Sequence, residues 1–215
     1  MSSFPLILSA PSGGGKTTIA RELLKRRSDI GYSVSCTTRK PRPGEIHGTD
    51  YFFLERQAFI SAREKGEFAE SAEVHDDLYG TLRSEVDRVL ASGRHVVMDI
   101  DVQGARQLIG VYPESVLVFV LPPDSAALLE RLKGRGTESG KALDRRLTSA
   151  VQELRAVAMY HYVVVNEDIG RAVDDVSKIV DAEQMRTSRS DRLNERVEQL
   201  VAGLDSALRN NQRSN

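Results

Sequence analysis

An α/β fold, a parallel sheet flanked by helices, follows from three observations on the sequence. Near-continuous runs of Val, Ile and Leu recur along the chain, as strands covered on both faces require. Helical patterns separate these runs, so successive strands are joined by crossovers and lie parallel. A glycine-rich turn at residues 10–18, APSGGGKTT, stands between the apolar run 4–8 and a helix-patterned stretch at 19–27. Strand, glycine loop and helix in that order make a phosphate-binding loop.

Taken in chain order, the first strand is expected at residues 6–9 and the first helix at 17–27. The nucleotide-binding set expected from the loop is Ala10, Pro11, Ser12, Gly13, Gly14, Gly15, Lys16, Thr17 and Thr18. The three glycines let backbone N–H groups come close to phosphate oxygens, Lys16 reaches the β/γ-phosphates, and Thr17 offers its hydroxyl to Mg²⁺. Ala10 stands where the general GxxxxGK[ST] pattern has a glycine, a position that shapes loop entry more than it touches phosphate. An ordinary Gly-rich turn holding a lysine is the plainer alternative. The complete GK[ST], with a strand before it and a helix after it, decides against that.

A second strand is expected at 32–35, and the texture then changes. Between residues 36 and 81, short aromatic strands at 51–53 and 68–74 flank a charged helix at 54–65, the pattern of a small α+β insertion. The core resumes with a helix at 82–91 and a strand at 95–100. That strand, HVVMDI, carries Asp99 near its carboxyl end, where a carboxylate in such sheets meets Mg²⁺, often through water. A turn aspartate is the alternative there, and the neighbouring phosphate loop favours the metal role. Strands at 116–121 and 162–165 and helices at 124–133, 141–159 and 169–187 complete the alternation. Residues 134–140, glycine-rich and flanked by arginines, read as a mobile flap.

Composition excludes several classes. The net charge of −1 gives no basic footprint, so nucleic acid is not an expected partner. The lone cysteine, Cys36, permits neither an internal disulfide nor a Cys-based metal site, which suits a reducing cytoplasm. His47, His75, His95 and His161 lack metal-motif spacing. No apolar run approaches membrane-spanning length, and a first strand so near Met1 leaves no room for a signal peptide, so a cytoplasmic protein without a membrane partner is expected.

The segment SVSCTTRKPRPGE at 33–45, followed by GTDYFF, EFAE, LYGT and MDIDVQG, resembles the guanylate kinases, and the likeness runs from the phosphate loop to about residue 187. The resemblance implies a P-loop core at 1–35, 82–125 and 160–187, a GMP-binding insertion at 36–81 and a helical lid at 126–159. It implies Mg-dependent transfer of the ATP γ-phosphoryl group to GMP, and to dGMP with it, giving ADP and GDP. By the same resemblance Ser35, Glu70, Thr81 and Asp101 face the guanine, while Arg39, Arg42, Tyr51 and Tyr79 hold the GMP phosphate and Glu45 supports the arginine loop. Lys16, Arg39, Arg131, Arg135 and Arg146 act on the transferring group, Thr17 and Asp99 face Mg²⁺, and Asn166 lies near the ATP base.

The chemistry of these residues fits those roles. Guanine presents N1–H and N2–H₂ donors beside the O6 acceptor, so a carboxylate with a hydroxyl, Glu70 with Ser35 or Thr81, matches that edge; adenine, with an acceptor at N1, does not. Two other readings are a P-loop kinase for a different phosphorylated acceptor and a guanylate-kinase-like binding module without catalysis. The first need not carry the Arg39, Arg42, Tyr51, Glu70, Tyr79 set, and the second would lose the GGGKTT loop.

Residues 188–215 lie beyond the resemblance. A helix reads from 190 to 208 with Leu193, Val197, Leu200, Leu204 and Leu208 along one face, after which the chain dissolves into a polar tail, NNQRSN. Docking onto the core is the plainer expectation and a two-stranded contact with another copy, giving a homo-oligomer, the sharper one.

Overall fold

The computed structural model describes residues 2–74, 76–133, 140–190 and 192–213, without the side chains of residues 140–142 and 212–213. Two compact units divide the chain, Ser3–Lys178 and a second made of Ile179 onward with the N-terminal residues. The larger unit contains β1 (Pro5–Ser9), α1 (Lys16–Arg26), β2 (Ile30–Tyr32), β3 (Cys36–Thr37), β4 (Phe52–Phe53), α2 (Arg56–Glu64), β5 (Phe68–Val74) and β6 (Asp77–Leu82). It continues through α3 (Arg83–Ala91), β7 (His95–Asp99), α4 (Val102–Val111), β8 (Val116–Leu121), α5 (Ser125–Lys133), α6 (Gly140–Arg155) and β9 (Tyr162–Val165). Two helices follow, α7 (Ile169–Gln184), in which the unit boundary falls, and α8 (Leu193–Arg213).

Five strands form one sheet in the order β2-β7-β1-β8-β9, with every pairing parallel. The α/β expectation is met: β1, PLILS, is buried along its whole length, because strands on both sides and helices on both faces exclude water from it. Leu8 pairs with Asp99 and Ser9 with Phe119, so β1, β7 and β8 end at one edge, and the loop after β1 opens beside Asp99. Met98, Leu108, Leu117 and Phe119 are among the buried side chains between this sheet and its helices.

A second sheet, β4-β3-β6-β5, is built by the insertion. β5 and β6 form an antiparallel hairpin in which Glu70 lies opposite Thr81. Phe59 of α2 stacks on Phe68 at 4.4 Å and, with Cys36 and Leu78, gives the insertion its own small core.

Several expected boundaries differ for physical reasons. The second strand was expected at 32–35 and lies earlier, at Ile30–Tyr32. Gly31 hides it in the sequence, since glycine is scarce in strands; here a β carbon would come within 2.6 Å of Val89, so only glycine fits. After Tyr32 the chain leaves the sheet and enters β3, a strand the periodicity does not reveal. β6 was likewise not expected as a strand, its short run DLYGTL being interrupted by Gly80. The helix expected at 141–159 ends at Arg155 and gives way to a 3₁₀ turn, Val157–Met159. The flap expected at 134–140 lies, but for Gly140, outside the described residues.

In the smaller unit, Glu183 is buried beside Arg189 at 3.1 Å and Arg186 at 3.3 Å, and the Ser2 amide donates to the Arg189 carbonyl at 3.1 Å. The polar tail does not end the last helix at residue 208, as α8 continues to Arg213. Its apolar stripe faces solvent, with Leu200, Leu204 and Leu208 each more than half exposed. Among the described residues, no helix is long and apolar enough to cross a membrane.

Candidate active site

The loop between β1 and α1 turns on two left-handed glycines, Gly13 at φ 84° and Gly15 at φ 96°. At Gly15 a β carbon would also lie 2.3 Å from the Asn166 amide nitrogen, so both conformation and space require glycine there. α1 begins without a side-chain cap and without an acid in its first turn. The N–H groups and partial positive charge of its N-terminus are therefore left for an anion. Ala10, in place of the pattern's glycine, is buried beneath the loop and touches the point where a Gly14 side chain would stand.

Asp99, at the end of β7, accepts hydrogen bonds on both oxygens. The Thr17 hydroxyl donates to one and the Tyr32 hydroxyl to the other, at 2.7 Å. Burial and the Asp99 charge hold the Tyr32 phenol protonated well above its ordinary range. A hydroxyl and a carboxylate side by side are the hard oxygen donors that Mg²⁺ takes alongside water and substrate phosphates, so these residues fit that cation.

Across the same cavity, of about 700 Å³, stand Ser35, Tyr51, Glu70, Tyr79 and Asp101. The hairpin register sets Glu70 opposite Thr81, whose hydroxyl donates to Glu70 Oε1 at 2.6 Å. Glu70 is 6% exposed. Burial pushes its carboxyl up to about 7 against the Thr81 hydrogen bond, with the Asp101 charge adding to the rise. Glu70 Oε2 abuts the start of α4, where a β carbon on Gly104 would lie 2.6 Å from it. Asp101 caps that helix, accepting from the Gly104 amide at 2.7 Å.

Deeper in the insertion, Arg39 donates to Glu45 at 2.8 Å and lies 5.5 Å from the centre of the Tyr51 ring. Glu45 also accepts from the Arg42 amide at 2.7 Å, and its bond to Arg39 holds its carboxyl below the usual range. Tyr51 and Tyr79 meet edge-on at 6.1 Å. The Arg42 side chain itself is exposed.

From the helical segment that follows, Arg146 donates to the Leu132 carbonyl at 2.7 Å and reaches the Ser12 hydroxyl at 3.4 Å. Arg131 packs its β carbon against the space above Gly13. Arg135 falls outside the described residues. Asn166, expected near the ATP base, is 1% exposed and gives its amide to the Gly14 carbonyl at 2.9 Å, bracing the loop from behind. Thr81, expected as a donor to guanine O6, directs its hydroxyl hydrogen to Glu70 instead.

A family model described as guanylate kinase matches residues 2–183. The chain belongs to the guanylate kinase family. It is 45% identical to the guanylate kinase of Geobacter sulfurreducens over 183 residues, 85% of this chain and 90% of that one. To the guanylate kinase of Nitrosomonas europaea it is 44% identical over 183 residues, 85% and 91% of the two chains. The crystal structure of guanylate kinase from Anaplasma phagocytophilum superposes with a TM-score of 0.76 at 36% identity, covering 92% of this chain and 95% of that one. The family's span stops short of α8, which lies wholly after residue 183.

Sequence reasoning missed three side chains that the fold brings to this site. Tyr32 carries no local signal because its strand is short and interrupted by glycine. Arg21 of α1, paired with Asp50 of the insertion at 2.6 Å, reads as one of many surface charges. Glu153 of α6, whose carboxylate accepts from the Ser12 amide at 3.2 Å, sits in an unremarked helical stretch.

Proposed function

We propose that the chain is a working guanylate kinase, transferring the γ-phosphoryl group of ATP to GMP, and to dGMP, to give ADP and GDP. One observation carries the reading: a buried carboxylate, Glu70, opens on the same cavity as the phosphate loop. A carboxylate so placed is complementary to two adjacent N–H donors, which guanine has at N1 and N2 and adenine lacks. Glu70 accepts these donors, Ser35 donates to O6, Thr81 orients Glu70, and Asp101 faces the base from the rim. Arg39, Arg42, Tyr51 and Tyr79 hold the GMP phosphate, with Glu45 fixing Arg39.

Residues 36–81 act as the GMP-binding domain, 126–159 as a lid and 1–35, 82–125 and 160–187 as the core that binds ATP. The acceptor phosphate is already an anion near neutral pH, so no general base is required. Lys16 and the loop amides neutralise charge on the β/γ-phosphates, and Arg131, Arg135 and Arg146 oppose charge on the migrating group. Thr17 and Asp99 would hold Mg²⁺, which when bound would neutralise charge on the donor phosphates. Tyr32 steadies Asp99 from its other side. Closure of insertion and lid excludes water, which would otherwise hydrolyse ATP. The single, buried Cys36 thiol suits a cytoplasmic setting, and the exposed stripe of α8 suits pairing with another copy.

A coupled assay with saturating ATP and GMP, dGMP, AMP, UMP or ribose bisphosphate tests this. GMP and dGMP are expected as the preferred acceptors. Equal use of AMP or a sugar phosphate would indicate a different kinase, and no turnover with any acceptor a binding module.

A further inference from the structure

Glu153 has no part in the roles above, yet its carboxylate is half-buried against the phosphate loop. Its Oε2 accepts from the Ser12 amide at 3.2 Å. Burial raises its carboxyl above the ordinary range, Lys16 opposing the rise and Asp101 adding to it. Seven residues earlier on the same helix is Arg146, whose guanidinium reaches the Ser12 hydroxyl at 3.4 Å. Two helical turns separate the residues, so they lie on one face of α6, and both close on one loop residue, Ser12.

The packing of α6 does not need that charge. Ala150 is buried against Leu128 and Leu132 of α5, and Leu143, Leu147 and Leu154 pack around them. Apolar contact of this kind fixes how close the helix lies, but it tolerates small slides and rotations. A hydrogen bond from a backbone amide to a carboxylate is charge-assisted and directional, and it fixes the remaining freedom. A carboxylate taken partly out of water is also costly unless its partners compensate. Its presence at this spot calls for a role that an apolar side chain cannot fill.

We propose that Glu153 is a positioning residue: by holding the Ser12 amide it sets α6 in register on the phosphate loop, and so places Arg146 over the phosphoryl group in transit. The inference rests on the kinase reading only through Arg146. Glu153 touches no substrate in this role. Its effect is on the orientation of Arg146, and a misplacement near 1 Å lowers turnover by up to about 10²-fold in comparable sites.

The test uses the full chain and the variants Glu153→Ala, Glu153→Gln, Arg146→Ala and the double alanine variant. Glu153→Ala is expected to lower kcat about 10- to 100-fold while KM for GMP stays near wild type. Glu153→Gln, which keeps an acceptor oxygen, restores most of kcat. The double variant is no slower than Arg146→Ala alone, since Glu153 acts through that arginine. Hydrogen exchange at the Ser12 amide speeds up in Glu153→Ala and not in Glu153→Gln. Losses that multiply in the double variant, or a glutamine variant as slow as the alanine one, would overturn the proposal. So would Glu153→Ala with unchanged kcat and tighter ATP binding, which would make the carboxylate a mere stand-in for phosphate. Absence of GMP turnover in the wild type would instead overturn the kinase reading, and the Ser12 exchange would still report on the contact.

Discussion

The phosphate loop and the carboxylate pocket line one cavity but are built on opposite terms. The loop is a single stretch of chain whose donors are backbone amides and an uncapped helix end. Such groups bind any phosphate, and they need no side chain to be buried with its charge. The pocket draws Ser35 from the strand connection, Glu70 and Thr81 from a hairpin and Asp101 from a helix cap. It holds its carboxylate nearly out of water, which raises that carboxyl to about 7. In the proposed roles, recognition of phosphate is local and general, and recognition of the base is long-range, specific and obtained against a desolvation penalty.

If the two regions divide the work in this way, the largest loss follows from the loop. Lys16→Met should leave the fold and GMP binding near wild type and lower kcat by roughly 10³ to 10⁵, the range seen for a single cation on a transferring phosphoryl group. Thermal unfolding, GMP titration and steady-state kinetics check the three parts, and near-normal turnover in the folded variant would remove the loop from the chemistry.

Next is the pocket. Glu70→Ala should reduce kcat/KM for GMP about 10²-fold or more, from two hydrogen bonds to a charged acceptor, with KM for ATP little changed. The same residue gives a test by pH. The carboxylate is the form that accepts guanine donors, so binding should weaken as pH falls below about 7. Guanosine, which has no phosphate to titrate, isolates this effect, and Glu70→Gln should flatten it.

Stability runs the other way. Because the folded pKa is raised from 4.5 to about 7, the ligand-free native state binds the proton more tightly than the unfolded chain does. Stability therefore falls as pH rises through that window. Glu70→Gln should accordingly raise Tm of the ligand-free protein at pH 8 while impairing GMP use. A variant that loses both would mean that the carboxylate supports the fold and not the ligand.

A smaller effect is expected where the regions meet. Tyr32→Phe removes one donor from Asp99, and a bond of this class contributes about 1.5 to 3 kcal/mol. Roughly 10- to 100-fold more Mg²⁺ should then be needed for half-maximal rate, with KM for GMP unaffected. The least effect belongs to the smaller unit: deletion of residues 188–215 should leave kcat and both KM values unchanged. Loss of turnover in a folded truncation would give α8 a catalytic part.

These differences explain what could be read in the sequence. The parallel sheet was legible because β1, β7 and β8 are uniform apolar runs, and the phosphate loop because its donors are contiguous. β2, β3 and β6 were not, since each is short or carries glycine and is held by partners distant in the chain. The Glu70–Thr81 pair depends on a hairpin register, the Tyr32–Asp99 pair on strand order, and the Glu153–Ser12 contact on helix docking. Thr81 shows the limit most clearly: residue type announced a hydroxyl, but only the register revealed that its hydrogen goes to Glu70.

The insertion is a single excursion of the chain, leaving the main sheet after β2 and returning at α3. With only two crossings, it resembles a cassette, and acceptor choice ought to be exchangeable separately from phosphoryl transfer. Gly104 sets the condition for such an exchange. It belongs to the core, yet its missing side chain is what leaves room for Glu70 Oε2. A cassette reading another base could be grafted onto this core, whereas this cassette moved to a core with any larger residue at that position would arrive with its carboxylate displaced.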